Sequence, residues 1–340
     1  MASESEDGHE GRSALRTFSD IAAKLLVSGG LLYWMLAQSN LTTFANILQH
    51  TEVWLFVLAA GFFLLSNALG AFQWFLLLRG QALVVSLRQA VVFYWVGVFF
   101  NNVLLGNIGG DAMRIYDMRR LTGETSRAAA ATFMDRFIGL FSTCCLALGA
   151  CVFVSEVRRP GVVTMLVPVF IALVFLLAIG LSRQLGYLVQ RVLHRLLPSR
   201  VAGILQELRQ NIVVYRHKAP LLVGVWTVSL GVQFSRILVY WAAGAAVGIE
   251  VGLRYFVGFQ PVAAIIAALP ISIGGLGVRE GVLVELFGGI GVEESLAFST
   301  SILGYAAGIL ASLFGGVAFV IRRIQPTSVT ASSGDGDSRR

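Results

Sequence analysis

The residues best suited to bind a charged ligand come in a short pattern that occurs twice. Asn107 to Arg114 reads NIGGDAMR, and Ser272 to Arg279 reads SIGGLGVR, 165 positions later. Each copy closes a long apolar run, and each places an arginine shortly after paired glycines. Paired, glycine-interrupted hydrophobic segments in two halves of a chain are typical of transporters, in which broken helices surround a shared binding site. The pattern therefore predicts a ligand site inside a membrane.

Each glycine pair predicts a break in a helix and the start of a new one. Asp111 is a suitable N-cap for a helix that runs to about Leu121. Free backbone amides at a helix start favour anions, and two facing starts, each with an arginine, would form a cradle for a phosphate. The alternative is two ordinary turns whose arginines reach the membrane surface. The candidate residues in the two motifs are Asn107, Gly109, Gly110, Asp111, Arg114, Gly274, Gly275, Gly277, Arg279 and Glu280.

Further polar residues lie within apolar stretches. Asp135 and Arg136 are adjacent, and Arg236 lies near the middle of the run 219–248. Charges at such depth are costly and usually face a cavity or each other. Neighbouring residues diverge by about 100° on a helix, so Asp135 and Arg136 are expected to have different partners. Asn102 adds a polar group before the first motif, which suits a wet cavity; an ion-pair network without a transport role is the alternative.

The composition of the chain predicts an all-α polytopic membrane protein. The sequence is 56% hydrophobic and 13% charged, against about 45–50% and about 25% in soluble domains. A membrane-spanning helix needs about 20 mostly apolar residues. Two shorter apolar stretches, 89–106 and 255–273, end in the repeated motif. Six runs are long enough to span, namely 21–39, 54–78, 128–154, 162–181, 219–248 and 295–321.

Lysine and arginine beside membrane spans tend to remain cytoplasmic. The basic segments fall on one side only if the two shorter stretches enter and leave by the same face, which predicts two re-entrant or broken helices in an inverted pseudo-repeat. Full crossing of one or both stretches is the alternative. We expect a polar cytoplasmic N-terminus (1–20), a transmembrane domain (21–322) and a disordered cytoplasmic tail (323–340). The segment 184–216 is either a basic amphipathic helix on the inner leaflet or a plain connector.

The common sequence motifs of nucleotide-binding, serine-hydrolase and zinc enzymes are missing from the sequence. It has no P-loop, dinucleotide fingerprint, serine elbow or zinc-type histidine pair, so we expect neither an enzyme nor a cofactor or metal. The net charge of +7 comes from residues that border the spans, which argues against nucleic acid as a partner. The expected partners are the membrane and an anionic phospholipid, and a homo-oligomer is left open.

Three motifs resemble the hallmark motifs of a flippase-like family, which includes the membrane half of bacterial lysylphosphatidylglycerol synthase/flippase proteins. They are FNNVLLGNIGGDAMR from Phe100, DRFIGL from Asp135 and PISIGGLGVREG from Pro270. They occur in the family's order, and the resemblance covers nearly all of 20–322. The family often has a proline before the first glycine pair, where this chain has Leu105-Gly106-Asn107, so the first break is expected to be softer here.

The resemblance implies an inner-membrane protein that translocates a lipid or a lipid-linked headgroup between leaflets. It does not imply synthesis of lysyl-lipid, because the aminoacyl-transferring domain of the fused members is outside the resemblance. We therefore predict a lipid flippase-like transporter of the plasma membrane with both termini cytoplasmic. Arg114, Arg136 and Arg279 would bind phosphate, while Asp111, Asp135 and Glu280 would position them or match a cationic headgroup.

Two other functions fit the same residues. A membrane-embedded transferase could act on a polyprenyl-linked or other lipid substrate, with the carboxylates as base or metal ligands. A membrane scaffold would need no ligand. Leaflet exchange, donor turnover and the behaviour of arginine variants distinguish the three.

Overall fold

The computed structural model describes residues 49–103, 109–158, 160–182, 198–268, 275 and 277–324. Within these ranges the chain forms helices and no strand, which confirms the all-α prediction. Two short 3-10 helices, Ser155–Val157 and Val214–His217, join longer elements. The α-helices are α1 (Val53–Gly80), α2 (Leu87–Val103), α3 (Gly109–Thr122), α4 (Thr125–Phe153), α5 (Pro160–Leu181), α6 (Ser199–Val213), α7 (Ala219–Ala246), α8 (Leu253–Ala268), α9 (Val278–Gly288) and α10 (Glu294–Ile324).

Five of these helices, α1, α4, α5, α7 and α10, are long and apolar enough to cross a bilayer. They match five of the six predicted spans. The sixth run, 21–39, lies outside the described residues, as do the predicted N-terminal segment 1–20 and the tail beyond Ile324. Helix α5 exposes Ile171, Phe175 and Leu176, so it has a lipid-facing position at the edge of the bundle.

The described part of each shorter apolar stretch forms the first helix of a helical hairpin. Helix α2 is followed by α3, which packs back on it, and α8 is followed by α9 in the same way. In the first hairpin, Gly110 N donates to Asn101 Oδ1 at 2.9 Å, and a Cβ on Gly97 would lie 2.9 Å from Gly110 O. In the second, a Cβ on Gly275 would lie 2.9 Å from Ala267 O. Both stretches are therefore broken helices, as predicted.

The order of helices is repeated. A long helix, a two-helix hairpin and another long helix make up α1 to α4, and the same order recurs in α7 to α10. The contacts between the two halves follow the same symmetry. Helix α1 packs against its equivalent α7, α2 packs against α10, and the corresponding α8 packs against α4. The eight-residue motif is thus the local sign of a repeat that covers four helices in each half.

The two halves are inverted relative to each other. Glu52 N, before α1, donates to Ala246 O at the end of α7, over 3.0 Å. At the other end of the pair, Tyr215 Oη donates to Leu77 O at 2.8 Å and Lys218 Nζ donates to Gly80 O at 2.6 Å. The start of each helix therefore meets the end of the other, so equivalent helices run antiparallel. This geometry confirms the predicted inverted pseudo-repeat.

Helix α6 covers part of the predicted amphipathic segment 184–216. Its buried side chains include Ala202 and Ile212, whereas Ile204 is exposed. Arg209 Nη2 donates to Ser182 O at 2.9 Å and joins α6 to the segment after α5. Residues 183–197 lie outside the described residues, and contact of α6 with the inner leaflet stays a prediction.

Candidate functional site

A cavity of about 550 Å³ lies between the two halves of the repeat. All eight repeat helices contribute to its lining, whereas α5 and α6 add no described residue to it. This volume falls within the range of about 300–1,000 Å³ that is usual for small-molecule sites. The two hairpins therefore meet around one shared space, as the repeated motif predicts.

The cavity brings together most of the polar and charged side chains that the sequence indicates. Its lining includes Asn102, Asp111, Arg114, Asp135, Arg136, Arg236 and Arg279. The predicted residues that are described but lie off the lining are Gly109, Gly110, Gly275, Gly277 and Glu280. Asn107 and Gly274 lie outside the described residues.

Two arginines and two aspartates form an ion cluster on the wall made by α3 and α4. Arg114 Nη1 lies 2.9 Å from Asp135 Oδ2, and Arg114 Nη2 lies 2.6 Å from Asp111 Oδ1. Arg136 Nε and Nη2 each donate to Asp111 at 2.9 Å. Asp135 and Arg136 therefore have different partners, as their adjacent positions on a helix predict.

Arg114 is the enclosed member of this cluster. Its side chain is 3% exposed, and its guanidinium carbon lies 5.2 Å from the Trp74 ring centre and 4.9 Å from that of Tyr94. Gln73 Nε2 donates to the other carboxylate oxygen of Asp135, Oδ1, at 2.9 Å. Such a desolvated, fully paired cation is suited to position its neighbours. Arg136 is 43% exposed, so it is the accessible cation of the cluster.

The second hairpin presents its arginine differently. Arg279, at the start of α9, donates from Nη1 to Tyr240 Oη at 2.9 Å and lies 5.9 Å from the Tyr305 ring centre. Glu280 is fully buried, and its carboxylate accepts from Gly277 N at 2.7 Å and from Ser301 Oγ at 3.1 Å. Glu280 therefore stabilises the start of α9 from behind the cavity wall.

Two of the helix-start amides that the predicted phosphate cradle would use have partners within the protein. Gly110 N donates to Asn101 and Gly277 N donates to Glu280, and neither glycine lines the cavity. The predicted N-cap role of Asp111 is wrong, because α3 begins at Gly109 and the carboxylate binds guanidinium groups instead. Charged side chains, and not these backbone amides, supply the polar wall.

Arg236 is the unusual cation of the cavity. It lies in the middle of α7, and its Nε donates to Ser66 Oγ at 3.3 Å. The ion pairs found among the described residues do not include Arg236. The lining carries four arginines and two aspartates, and one positive charge remains even when the buried Glu280 is counted. The site is therefore electropositive.

Several lining residues escaped the sequence analysis because they carry no charge. Asn67, Gln73, Tyr94, Tyr240 and Gln260 all face the cavity from helices that read as apolar. Intramembrane polar residues are uncommon and tend to mark functional cavities, a signal that applies to amides and phenols as well as to charges. Counting every polar residue within the spans would have found them.

Comparison with known proteins agrees with the membrane fold. A family model described as the lysylphosphatidylglycerol synthase TM region matches residues 21–316. A UPF0104 membrane protein of Pyrococcus horikoshii is 19% identical over 295 residues, which cover 80% of this chain and 87% of that protein. The apolar helices make the chain a multi-pass membrane protein. By the extent of the match, it belongs to the family of the lysylphosphatidylglycerol synthase transmembrane region.

Proposed function

We propose that this protein moves an anionic phospholipid or lipid-linked headgroup between leaflets through the central cavity. The observation that carries the proposal is Arg236, a cation at mid-span on the cavity wall that has no carboxylate partner among the described residues. An unpaired charge at this depth is costly unless a ligand of opposite charge neutralises it. A phosphate in the cavity supplies that charge.

The four arginines of the cavity have different roles in this proposal. Arg236 and Arg279, on α7 and α9, bind the phosphate. Arg136 is accessible and shares Asp111 with Arg114, so it exchanges between the carboxylate and the headgroup. Arg114 positions the cluster and does not contact the ligand directly, because two aspartates and two aromatic rings already surround it.

A lipid is the favoured anion because of where the cavity lies. Helices with lipid-facing apolar surfaces enclose it, and an inverted repeat around a midplane site is the architecture of alternating-access transporters. The headgroup occupies the polar cavity while the acyl chains stay in the bilayer. The transferase alternative receives less support, because Asp111 and Asp135 are engaged with arginines and would be poor general bases.

Reconstitution in liposomes tests the proposal. We expect the protein to accelerate leaflet exchange of a fluorescent phosphatidylglycerol, and Arg236→Gln to reduce the rate at least about tenfold, since a charged hydrogen-bonding group is removed. Arg254→Gln is the matched control, because Arg254 is exposed beyond the cavity at the start of α8. Arg114→Ala and Arg279→Ala are measured beside them.

Three results would contradict the proposal. Equal rates of leaflet exchange with and without the protein would show that it does not transport the lipid. Turnover of a polyprenyl-phosphate sugar donor without exchange favours the transferase. Wild-type exchange rates in the Arg236, Arg114 and Arg279 variants would show that transport does not use the arginine-lined cavity.

The orientation in the membrane is part of the proposal. Both termini are cytoplasmic, and the loop after α3 and the loop before α10 lie on opposite sides. Gly123 and Gly291 mark these loops, but both have left-handed backbone, with φ of +77° and +86°, so cysteine is better placed at the exposed Thr125 and Glu294. In a background without Cys144, Cys145 and Cys151, a membrane-impermeant maleimide should label Glu294→Cys from outside and Thr125→Cys only after lysis. The reverse pattern would overturn this orientation.

A further inference from the structure

The cavity has a second kind of polar wall, made of amide side chains rather than charges. Asn67 and Gln73 project from α1, and Asn102 projects from α2. Asn67 is 1% exposed and Gln73 is 3% exposed. Each of the three side chains contains a buried atom with no hydrogen-bond partner among the described residues, namely Asn67 Nδ2, Gln73 Oε1 and Asn102 Nδ2.

Buried polar atoms in native proteins nearly always have a partner, so three such atoms around one cavity need an explanation. Gln73 has a fixed orientation, because its amide nitrogen donates to Asp135 Oδ1 at 2.9 Å and leaves the oxygen as a free acceptor. Asn67 and Asn102 leave amide nitrogens as donors. The amide wall therefore combines donors with an acceptor. Soft rotation about the terminal torsions of Asn67 and Asn102 can turn their donors to a ligand.

The mixture of donors and an acceptor distinguishes between ligand groups. A phosphate only accepts hydrogen bonds, so it cannot satisfy Gln73 Oε1, and an ammonium group only donates, so it cannot satisfy Asn67 Nδ2. A hydroxyl does both. Asn67 and Gln73 are six residues apart, which is about 9 Å along a helix, so separate hydroxyls of one ligand would meet them.

The position of this wall relates it to the phosphate. Gln73 contacts Asp135 of the ion cluster, and Ser66, next to Asn67, accepts from Arg236. Tyr94 packs against Gly70, between the two amides, and it also lines the cavity. A ligand with its phosphate on Arg236 would thus extend its next few atoms along the amide wall.

We propose that the cavity selects a headgroup that carries several hydroxyls beyond its phosphate, as in a glycerol or a sugar. Asn67, Gln73 and Asn102 bind those hydroxyls. This inference rests on the proposed function, because the phosphate of the same headgroup is assigned to Arg236 and Arg279.

Binding of short-chain lipids to the detergent-purified chain, measured by native mass spectrometry, tests the inference. Dioctanoyl phosphatidylglycerol and phosphatidylinositol carry hydroxyls, whereas phosphatidylmethanol has the same phosphodiester charge and none. We expect at least one hydroxylated lipid to bind about tenfold more tightly than phosphatidylmethanol, as one or two added hydrogen bonds would give. Preference for phosphatidylglycerol alone would indicate glycerol, and preference for phosphatidylinositol would indicate a ring.

Asn67→Leu should remove this preference while leaving the affinity for phosphatidylmethanol unchanged. Asn102→Leu, on a different helix, is a second variant in case the first fails to fold. Ser142→Ala is the matched control, because Ser142 Oγ is also buried without a described partner but does not line the cavity. It should keep the preference.

The outcomes separate this inference from the proposed function. Equal binding of all three lipids that depends on Arg236, with no effect of Asn67→Leu or Asn102→Leu, overturns the hydroxyl site and keeps the anion site. Binding that is absent, or that does not respond to Arg236→Gln, overturns both.

Discussion

The arginines of the two repeated motifs occupy matching places in the inverted repeat but have different surroundings. Arg114 is bound by two aspartates and lies near the rings of Trp74 and Tyr94. Arg279 donates to the hydroxyl of Tyr240 and faces the ring of Tyr305. The acidic residue that follows Arg279 is turned away to the start of its own helix. The two halves share the same arrangement of helices, whereas the charged and aromatic groups around the two arginines differ.

This difference indicates a division of labour between the halves. The first half balances its charges internally, with two arginines against two aspartates on α3 and α4. The second half adds Arg236 and Arg279 to the cavity, and its helices place no carboxylate on the described lining. The first half is thus suited to hold the structure of the site, and the second half to attract an anion.

The largest effect should come from the ion cluster. Asp135→Asn leaves the buried Arg114 with one carboxylate, and we expect the free energy of unfolding to fall by about 3 kcal/mol, because an enclosed charge loses a partner. Glu280→Gln in the second half keeps an acceptor for Gly277 N and should cost about 1 kcal/mol. Thermal denaturation in one detergent compares them. Equal losses would contradict the division between the halves.

The next effect concerns the glycine contact in the first hairpin. Gly110→Ala places a methyl group against the backbone oxygen of Gly97, which cannot move aside, and should cost about 2–3 kcal/mol. Gly281→Ala in α9 is the control, because nothing lies within 4 Å of its Cβ position and alanine favours helix by up to about 1 kcal/mol. Melting temperatures should move in opposite directions. A tolerated Gly110→Ala would mean that the first hairpin is loosely packed.

The second hairpin uses its glycine for another reason. Gly275 has φ of +77°, and a Cβ there would lie 2.6 Å from Ala267 Cβ. We expect Gly275→Ala to cost about 2 kcal/mol, from backbone strain and the contact together. Adding Ala267→Gly should recover part of the loss in melting temperature. If the double variant melts no higher than the single one, the side-chain contact contributes nothing.

The smallest effect is expected at the second arginine. Tyr240→Phe removes the hydrogen bond to Arg279 Nη1 and should lower the free energy of unfolding by about 1 kcal/mol, since the ring still packs. Melting temperatures measured beside Asp135→Asn give the comparison. A loss as large as that of Asp135→Asn would show that both arginines are held equally firmly.

The sequence predicted much of the fold because a helix that crosses a bilayer needs a long apolar segment. Such segments, and their order along the chain, can be identified in the sequence itself. Five spans, two broken helices and their inverted relation followed from hydropathy, basic loops and the repeated glycines. The different partners of Asp135 and Arg136 followed from helix geometry. These features depend on residues that are close in the chain or on rules that act on whole segments.

The roles within the site were decided by tertiary structure. No local pattern indicates that Glu280 turns to Ser301, that Arg114 meets Asp135, or that Asn67 and Gln73 of α1 face the same space as Arg236 of α7. The sequence by itself determined which segments are long and apolar enough to cross a membrane and that two halves repeat. Which charges neutralise each other and which remain for a ligand depends on contacts between helices distant in the chain, and only packing sets those distances.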